Sequence, residues 1–307
     1  MAGSSANRPA LDSDRRLLWL AAIKPPMYSV AIMPIWLGSM AAYAATGHLD
    51  RPIFCTFLAS AILILAWENL SNDVFDAETG IDRNKAHSLV NLTDSKTLIF
   101  WLGNLCLGLG LLGMISISVW LHDGTVLALI LACCFLGYCY QGPPFRLGYL
   151  GLGEPLCFLS FGPLAIAAVY YSQTQTWSIA SQIVAVIVGI TTTLVLFCSH
   201  FHQVEDDLAA GKRSPVVRLG TALSAKLLPW SCVGIYGVLT LGLGLGYLPI
   251  WTSLSFAALP WAIKLCRFVG KHHAQPAAVQ NCKFIAVAFH FWSGLLLGLG
   301  FLLTAIA

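Results

Sequence analysis

Charge is what this sequence has least of. Only 10 % of its 307 residues are Asp, Glu, Lys or Arg, against roughly 25 % in an ordinary soluble domain, so the chain cannot clothe a globule of this size in polar groups. A water-soluble enzyme is excluded. Hydrophobic residues make up 57 % and the mean hydropathy is +0.75. At about 20 apolar residues per membrane-spanning helix, the length allows up to about nine spans and leaves no room for a separate soluble domain. Metal-ligand spacing is also missing: the ten cysteines form no CxxC pair. Cys55, Cys106, Cys133, Cys134, Cys139, Cys157, Cys198 and Cys232 lie inside apolar runs, where cysteine acts as a small hydrophobe. There is no low-complexity tract, no solenoid repeat and no nucleophile motif or triad. The glycines of 140–155 do not follow a strand, which argues against a nucleotide-binding loop, and no nucleic-acid partner is expected.

What is present is apolar runs, near 27–46, 52–70, 97–121, 126–141, 154–172, 180–199, 223–246, 250–264 and 283–306. Runs of this length predict helices rather than alternating barrel strands, although the fourth and eighth are short for a full crossing. The expectation is an all-α polytopic protein with nine transmembrane helices. Its basic residues test the count through the positive-inside rule. With the N-terminus inside and the C-terminus outside, sixteen of the seventeen Lys and Arg fall on the cytoplasmic side and only Arg51 falls outside. The polar stretch 1–16 is expected to lack fixed structure and contains no cleavable signal, because the apolar stretch 17–23 that follows is too short. Residues 17–24 read as a short helix on the cytoplasmic surface. The predicted organisation is therefore a polar segment with an interfacial helix at 1–26 and a single membrane domain at 27–307.

The acids are concentrated. Eight of fourteen lie in two short stretches: Glu68, Asp73, Asp76, Glu78 and Asp82 in ENLSNDVFDAETGID, and Glu205, Asp206 and Asp207 in HFHQVEDDLAAGKR. Both stretches begin at the cytoplasmic end of a predicted span. Asn69, Asp73 and Asp76, and likewise Asn72 and Asp76, share a helix face by their spacing, and Gln203 and Asp207 repeat the four-residue interval. Gly80 and Gly211 then let each helix stop. Carboxylates stacked at the edge of a bilayer repel one another and are costly, so a cation is expected between them. Oxygen ligands point to a hard ion such as Mg²⁺. Arg83, Lys85, Lys212, Arg213 and Arg146 are near enough in sequence to complete a diphosphate site at the membrane surface. His200 and His202 stand two apart, point in different directions on a helix, and read as packing or substrate-lining residues rather than metal ligands. A transporter would more often place such groups near the midplane; a lipid-diphosphate phosphatase would share the metal site but lack an aromatic acceptor.

At these residues the sequence resembles a known family. NDVFDAETGID is similar to the first aspartate-rich motif of the UbiA superfamily of intramembrane aromatic prenyltransferases, and QVEDDLAAGKRSPVVRLG to the second. With KPPMYSVAIMPIWLG near the start, the chain is most similar to the branch acting on 1,4-dihydroxy-2-naphthoate, and more narrowly to its phytyl-transferring members in oxygenic phototrophs. The resemblance implies nine helices around a central cavity capped by the cytoplasmic loops 2–3 and 6–7. It implies Mg²⁺ as cofactor, with Asn72, Asp76 and the adjacent Asp73 as first-motif ligands. The third acidic position falls at Gly80, and Asp82 takes its place. The family commonly has DxxxD in the second motif, whereas this chain has Gln203 and Asp207, so a second ion either has fewer charged ligands or draws on Glu205 or Asp206. Lys85, Lys212 and Arg213, with Mg²⁺, would neutralise the leaving diphosphate of a prenyl, here phytyl, donor. Tyr138, Tyr140, Trp67 and Phe145 could face the allylic cation, and Arg146 could touch diphosphate or the naphthoate carboxylate. Glu154 either hydrogen-bonds the acceptor or caps its helix. The ring would attack through the carbon bearing the carboxylate, with loss of CO₂. A plasma or thylakoid membrane is the implied location.

Overall fold

The computed structural model describes residues 17–20, 22–81 and 88–307. The polar start at 1–16 and the predicted site residues Asp82, Arg83 and Lys85 lie outside the described residues. Among the described residues there is no strand. Helix α1 (Ser29–Thr46) is followed by α2 (Arg51–Thr79), whose first turn is capped by Asp50 accepting a 3.0 Å hydrogen bond from the Ile53 amide. At 1.5 Å per residue the 29 residues of α2 span about 44 Å, well beyond the roughly 30 Å of a hydrocarbon core. Its last turns, which carry the first acidic motif, therefore continue a long apolar helix. Gly80, at φ +75°, adopts the left-handed turn that ends it.

Helices α3 (Lys96–Leu121) and α4 (Thr125–Gln141) follow. Helix α5 (Gly153–Thr174) is interrupted by a π turn, Ser160–Leu164, around Pro163. Proline supplies no amide to the α-helical ladder, and the widened turn brings Ser160 and Phe161 to the wall of a central cavity. Helix α6 (Ile179–Ser199) ends in a 3₁₀ turn, His200–His202, and the second motif continues in α7 (Val204–Ala209). Helix α8 (Thr221–Gly244) precedes a 3₁₀ segment, Ile250–Ala258, then α9 (Leu259–His272) and α10 (Cys282–Ile306).

Among the described residues, seven helical segments, containing α1, α2, α3, α5, α6, α8 and α10, are long and apolar enough to cross a membrane by length and composition. Helix α4 is apolar but has 17 residues, and the eighth apolar run is divided between the 3₁₀ segment and α9. Helix α10 packs against α1, α6 and the 3₁₀ segment, while α2 packs along α3. Large apolar side chains on the outside of the bundle, including Trp101, Trp120, Leu112 and Trp230, are more than half exposed, which suits a lipid-facing surface. This is an integral membrane protein. The helix at its start is seated: Ala22 is buried with Val74, Leu89 and Ile99, against the motif-bearing end of α2, while Leu17, Leu20 and Ile23 stay exposed.

Candidate active site

The two acidic motifs, far apart in sequence, line one cavity of about 1130 Å³. From α2 it receives Glu68, Asn69, Asn72, Asp73 and Asp76; from the second motif, Gln203, Asp206, Asp207 and Lys212. The 3.6-residue helical repeat explains the first set, since positions 68, 72 and 76 form one face of α2. The deeper wall, with Leu65, Leu156, Phe161 and Val195, is apolar. The cavity thus offers carboxylates and ammonium groups together with an apolar lining.

On the first-motif side the carboxylates already have partners. Asp76 Oδ1 accepts a 2.6 Å hydrogen bond from Gln141 Nε2 at the end of α4. Asp73, 1 % exposed, receives Lys24 Nζ at 3.2 Å on one oxygen and the Leu89 amide at 3.0 Å on the other. Asp73 therefore ties the N-terminal segment and the residues after the first motif to α2. Replacing Lys24 by Met removes the counter-charge that the buried Asp73 carboxylate meets among the described residues. The expected loss is about 2 kcal/mol of stability, checked by thermal unfolding in detergent; an unchanged melting profile would show that the pair contributes nothing.

On the second-motif side His200, Asp207, Glu154 and Lys212 form a buried group. His200 Nδ1 lies 3.2 Å from Asp207 Oδ2 and His200 Nε2 lies 3.5 Å from Glu154 Oε1, while Lys212 Nζ stands 3.7 Å from Asp207 Oδ1. Burial alone would raise the Asp207 carboxyl, but the His200 hydrogen bond and the Lys212 ammonium outweigh it and hold its pKa below the ordinary carboxylate value. Asp207 is therefore an anion at neutral pH. Its buried Oδ1 faces the Lys212 ammonium and meets no hydrogen bond of ordinary geometry among the described residues.

The connection between α4 and α5 joins the two sides. Tyr149 Oη is 2.6 Å from Thr79 Oγ1 at the end of α2, and the Tyr149 carbonyl accepts from the Arg213 amide at 2.8 Å. The Tyr140 ring, which lines the cavity, is held between Gly148 and Gly153: a Cβ at either would stand 2.7 or 2.6 Å from ring carbon Cε2.

Of the predicted site residues, Asn72, Asp73, Asp76, Tyr140, Gln203, Asp206, Asp207 and Lys212 line the cavity. Arg146 and Arg213 do not: Arg146 faces Glu78 at 3.5 Å and Arg213 is exposed. Trp67 lines a smaller apolar chamber of about 70 Å³ that shares Glu68, Gly137 and Phe161 with the main cavity. Tyr138 instead donates to the Pro143 carbonyl and Phe145 is exposed against Phe135. Both His200 and His202 line the cavity, because the chain there turns as 3₁₀ rather than α-helix. Lys24, Lys283 and Gln141 also line it, and sequence reasoning missed them. Lys24 and Lys283 look like ordinary positive-inside residues; the signal for Lys24 was the Pro25-Pro26 pair, which breaks the chain beside it. Among the described residues no three His, Cys, Asp or Glu side chains converge as a closed metal cage. Mg²⁺ needs none, since one or two carboxylates suffice when phosphate oxygens and water complete its shell.

The UbiA prenyltransferase family model matches residues 31–295, and the chain belongs to that family. The 2-carboxy-1,4-naphthoquinone phytyltransferase of Synechocystis sp. is 56 % identical over 301 residues, covering 98 % of each chain. The chloroplastic protein of that name from Arabidopsis thaliana is 42 % identical, covering 94 % of this chain and 78 % of its own. The 1,4-dihydroxy-2-naphthoate octaprenyltransferase of Escherichia coli is 26 % identical, covering 94 % and 96 %. Among solved structures, that of digeranylgeranylglyceryl phosphate synthase superposes with a TM-score of 0.59 at 17 % identity, covering 95 % and 99 %. A UbiA homologue from Archaeoglobus fulgidus bound to GPP and Mg²⁺ gives 0.55 at 15 % identity, covering 91 % and 99 %. These two establish a UbiA-like fold.

Proposed function

We propose that this protein transfers a phytyl group from phytyl diphosphate to 1,4-dihydroxy-2-naphthoate, releasing diphosphate and CO₂ and forming a prenylated quinol in phylloquinone synthesis. The observation that carries the reading is the single cavity in which two carboxylate motifs face each other above an apolar wall. The near full-length identity to the Synechocystis phytyltransferase supports the substrates. The donor atoms fit a hard cation: oxygens of Asn72, Asp76, Asp206 and Asp207, with Asp207 anionic and one of its buried oxygens meeting no hydrogen bond of ordinary geometry among the described residues. Those residues would hold Mg²⁺, with Asp73 beside them and Asp82 contributing by resemblance. Bound there, the ion would offset charge on the departing diphosphate. Lys212 would bind the diphosphate, and Lys24 and Lys283 extend the cationic lining; Arg83, Lys85, Arg146 and Arg213 remain the outer cations of the same loops. Tyr140 presents its ring to the reacting centre, where an aromatic face stabilises a cation, and the apolar wall excludes water from it. We also read the chain as nine crossings over 27–307, N-terminus inside and C-terminus outside, with the site on the cytoplasmic face of a plasma or thylakoid membrane.

A competition assay on the purified protein with Mg²⁺ tests the reading. Phytyl, geranylgeranyl and longer diphosphates are offered with dihydroxynaphthoate, homogentisate or 4-hydroxybenzoate. Phytyl transfer to the naphthoate should dominate; turnover of homogentisate alone would reject the acceptor. The redox state of the acceptor is a further test. A carbocation is captured by an electron-rich ring, so the dihydroxy form should react under anaerobic conditions and its quinone counterpart should not. Equal rates with both would overturn the electrophilic route.

A further inference from the structure

Glu68 has no place in either metal motif. It lies on α2 one turn before Asn72 and two before Asp76, on the same face, so at 1.5 Å per residue it sits about 12 Å along the helix from Asp76, toward the apolar interior. Its side chain lines both the main cavity and the small apolar chamber. The carboxyl packs over Gly137, where a Cβ would stand 3.4 Å from Oε1; glycine there leaves the carboxyl open to the cavity. No hydrogen bond or ion pair to Glu68 is found among the described residues. The cations nearest the motifs are engaged elsewhere, Lys24 with Asp73 and Lys212 with Asp207. Across the cavity, Thr192 on α6 is 2 % exposed and its hydroxyl also lacks a partner. A carboxyl without a partner in apolar surroundings is unfavourable. Two such groups on one cavity indicate a polar ligand between them.

We propose that Glu68 is the proton relay for the acceptor ring, an inference that rests on the function proposed above. Attack itself needs no base, and no net proton is released because CO₂ leaves from C2; what attack does create is a strongly acidic hydroxyl on C1, beside which a carboxylate can hold the proton until CO₂ has gone. As the bond between C2 of the naphthoate and the prenyl C1 forms, and the C–O bond to diphosphate breaks, the C1 hydroxyl becomes a protonated ketone. Its proton passes to the Glu68 carboxylate, leaving a β-keto acid with the carboxylate still on C2. Loss of CO₂ returns the electron pair of that bond to the ring as the C1 enolate. Glu68 gives the proton back to the C1 oxygen, the quinol is complete, and the carboxylate is restored. No oxidant or second base is consumed. Thr192, with its buried hydroxyl on the same cavity, offers the acceptor a further hydrogen bond.

The test uses full-length protein with Mg²⁺, phytyl diphosphate and dihydroxynaphthoate. Glu68→Gln keeps the shape and loses the base, so kcat for prenyl transfer should fall by about 10²-fold or more while the Kd for phytyl diphosphate stays unchanged. Glu68→Asp, shorter by one methylene, should recover part of the rate. Unchanged kcat and KM in Glu68→Gln would overturn the relay. So would a fall in donor affinity matching the fall in rate, which would assign Glu68 to the architecture of the cavity. If Glu68→Gln does not purify as folded protein, Glu68→Leu, which also removes the carboxyl, takes its place: slowed transfer with intact donor binding supports the relay, and a wild-type rate overturns it. A wild-type protein that never prenylates the naphthoate defeats the functional reading instead, and the two failures are told apart by that control.

Discussion

Asp76→Asn and Asp207→Asn each lower phytyl transfer by at least about 10³-fold, the scale expected when a group that stabilises developing charge is removed. The two carboxylates come from opposite motifs and line one cavity. Neither is there to hold the fold alone. Asparagine at 76 keeps an oxygen to accept the Gln141 amide now donated at 2.6 Å, so Asp76→Asn should express and melt like wild type while losing turnover. Asp207 is different, because its carboxylate faces the buried Lys212 at 3.7 Å. Asp207→Asn leaves that ammonium without its counter-charge, and a loss of about 1–3 kcal/mol of stability should accompany the loss of activity. The informative measurement is diphosphate release as a function of Mg²⁺ concentration. Both variants should need far more metal or show no release at saturation. Wild-type rates in both would remove the metal site from the mechanism altogether.

How much of this was legible in the sequence depends on the range of the interaction. Hydropathy runs located the long helical segments because backbone groups in a bilayer must bond within their own helix. Two runs changed character: 154–172, which holds the π turn Ser160–Leu164, and 250–264, where Pro249 caps a 3₁₀ segment and Pro260 restarts the chain as α9. The face carrying Asn72 and Asp76 was also legible, since a four-residue interval is a local geometric fact. Which cations join that face was not. Arg146 and Arg213 are near the motifs in sequence yet stand outside the cavity, while Lys24 and Lys283, remote in sequence, line it. Side-chain direction beyond one turn is set by tertiary packing, here by Asp73 capturing Lys24 and by Glu78 facing Arg146. Both histidines, read from the sequence as packing or lining residues rather than metal ligands, do line the cavity, where His200–His202 form a 3₁₀ turn.

His200→Ala should be the most damaging change among residues that carry no formal acid. His200 stands between two buried carboxylates, 3.2 Å from Asp207 and 3.5 Å from Glu154, and both oxygens of Glu154 lack a hydrogen-bond partner. Histidine thus fixes the orientation of Asp207 and keeps two acids apart. Losing such an orienting partner of a proposed metal ligand costs 10–100-fold in activity as an order of magnitude, and His200→Ala is expected near the upper end because two acids then face each other across the vacated volume. His202→Ala, at a cavity-lining position outside the His200–Asp207–Glu154 contacts, should cost less. A double-mutant cycle separates orientation from simple contact. If the damage comes from the uncompensated pair of acids, Glu154→Gln should be mildly harmful in the wild type but should restore part of the activity, and of the Mg²⁺ response, in the His200→Ala background. Strictly additive losses in the cycle would mean that His200 acts on Asp207 alone, and that Glu154 belongs with the helix start it occupies on α5 rather than with the chemistry of the cavity.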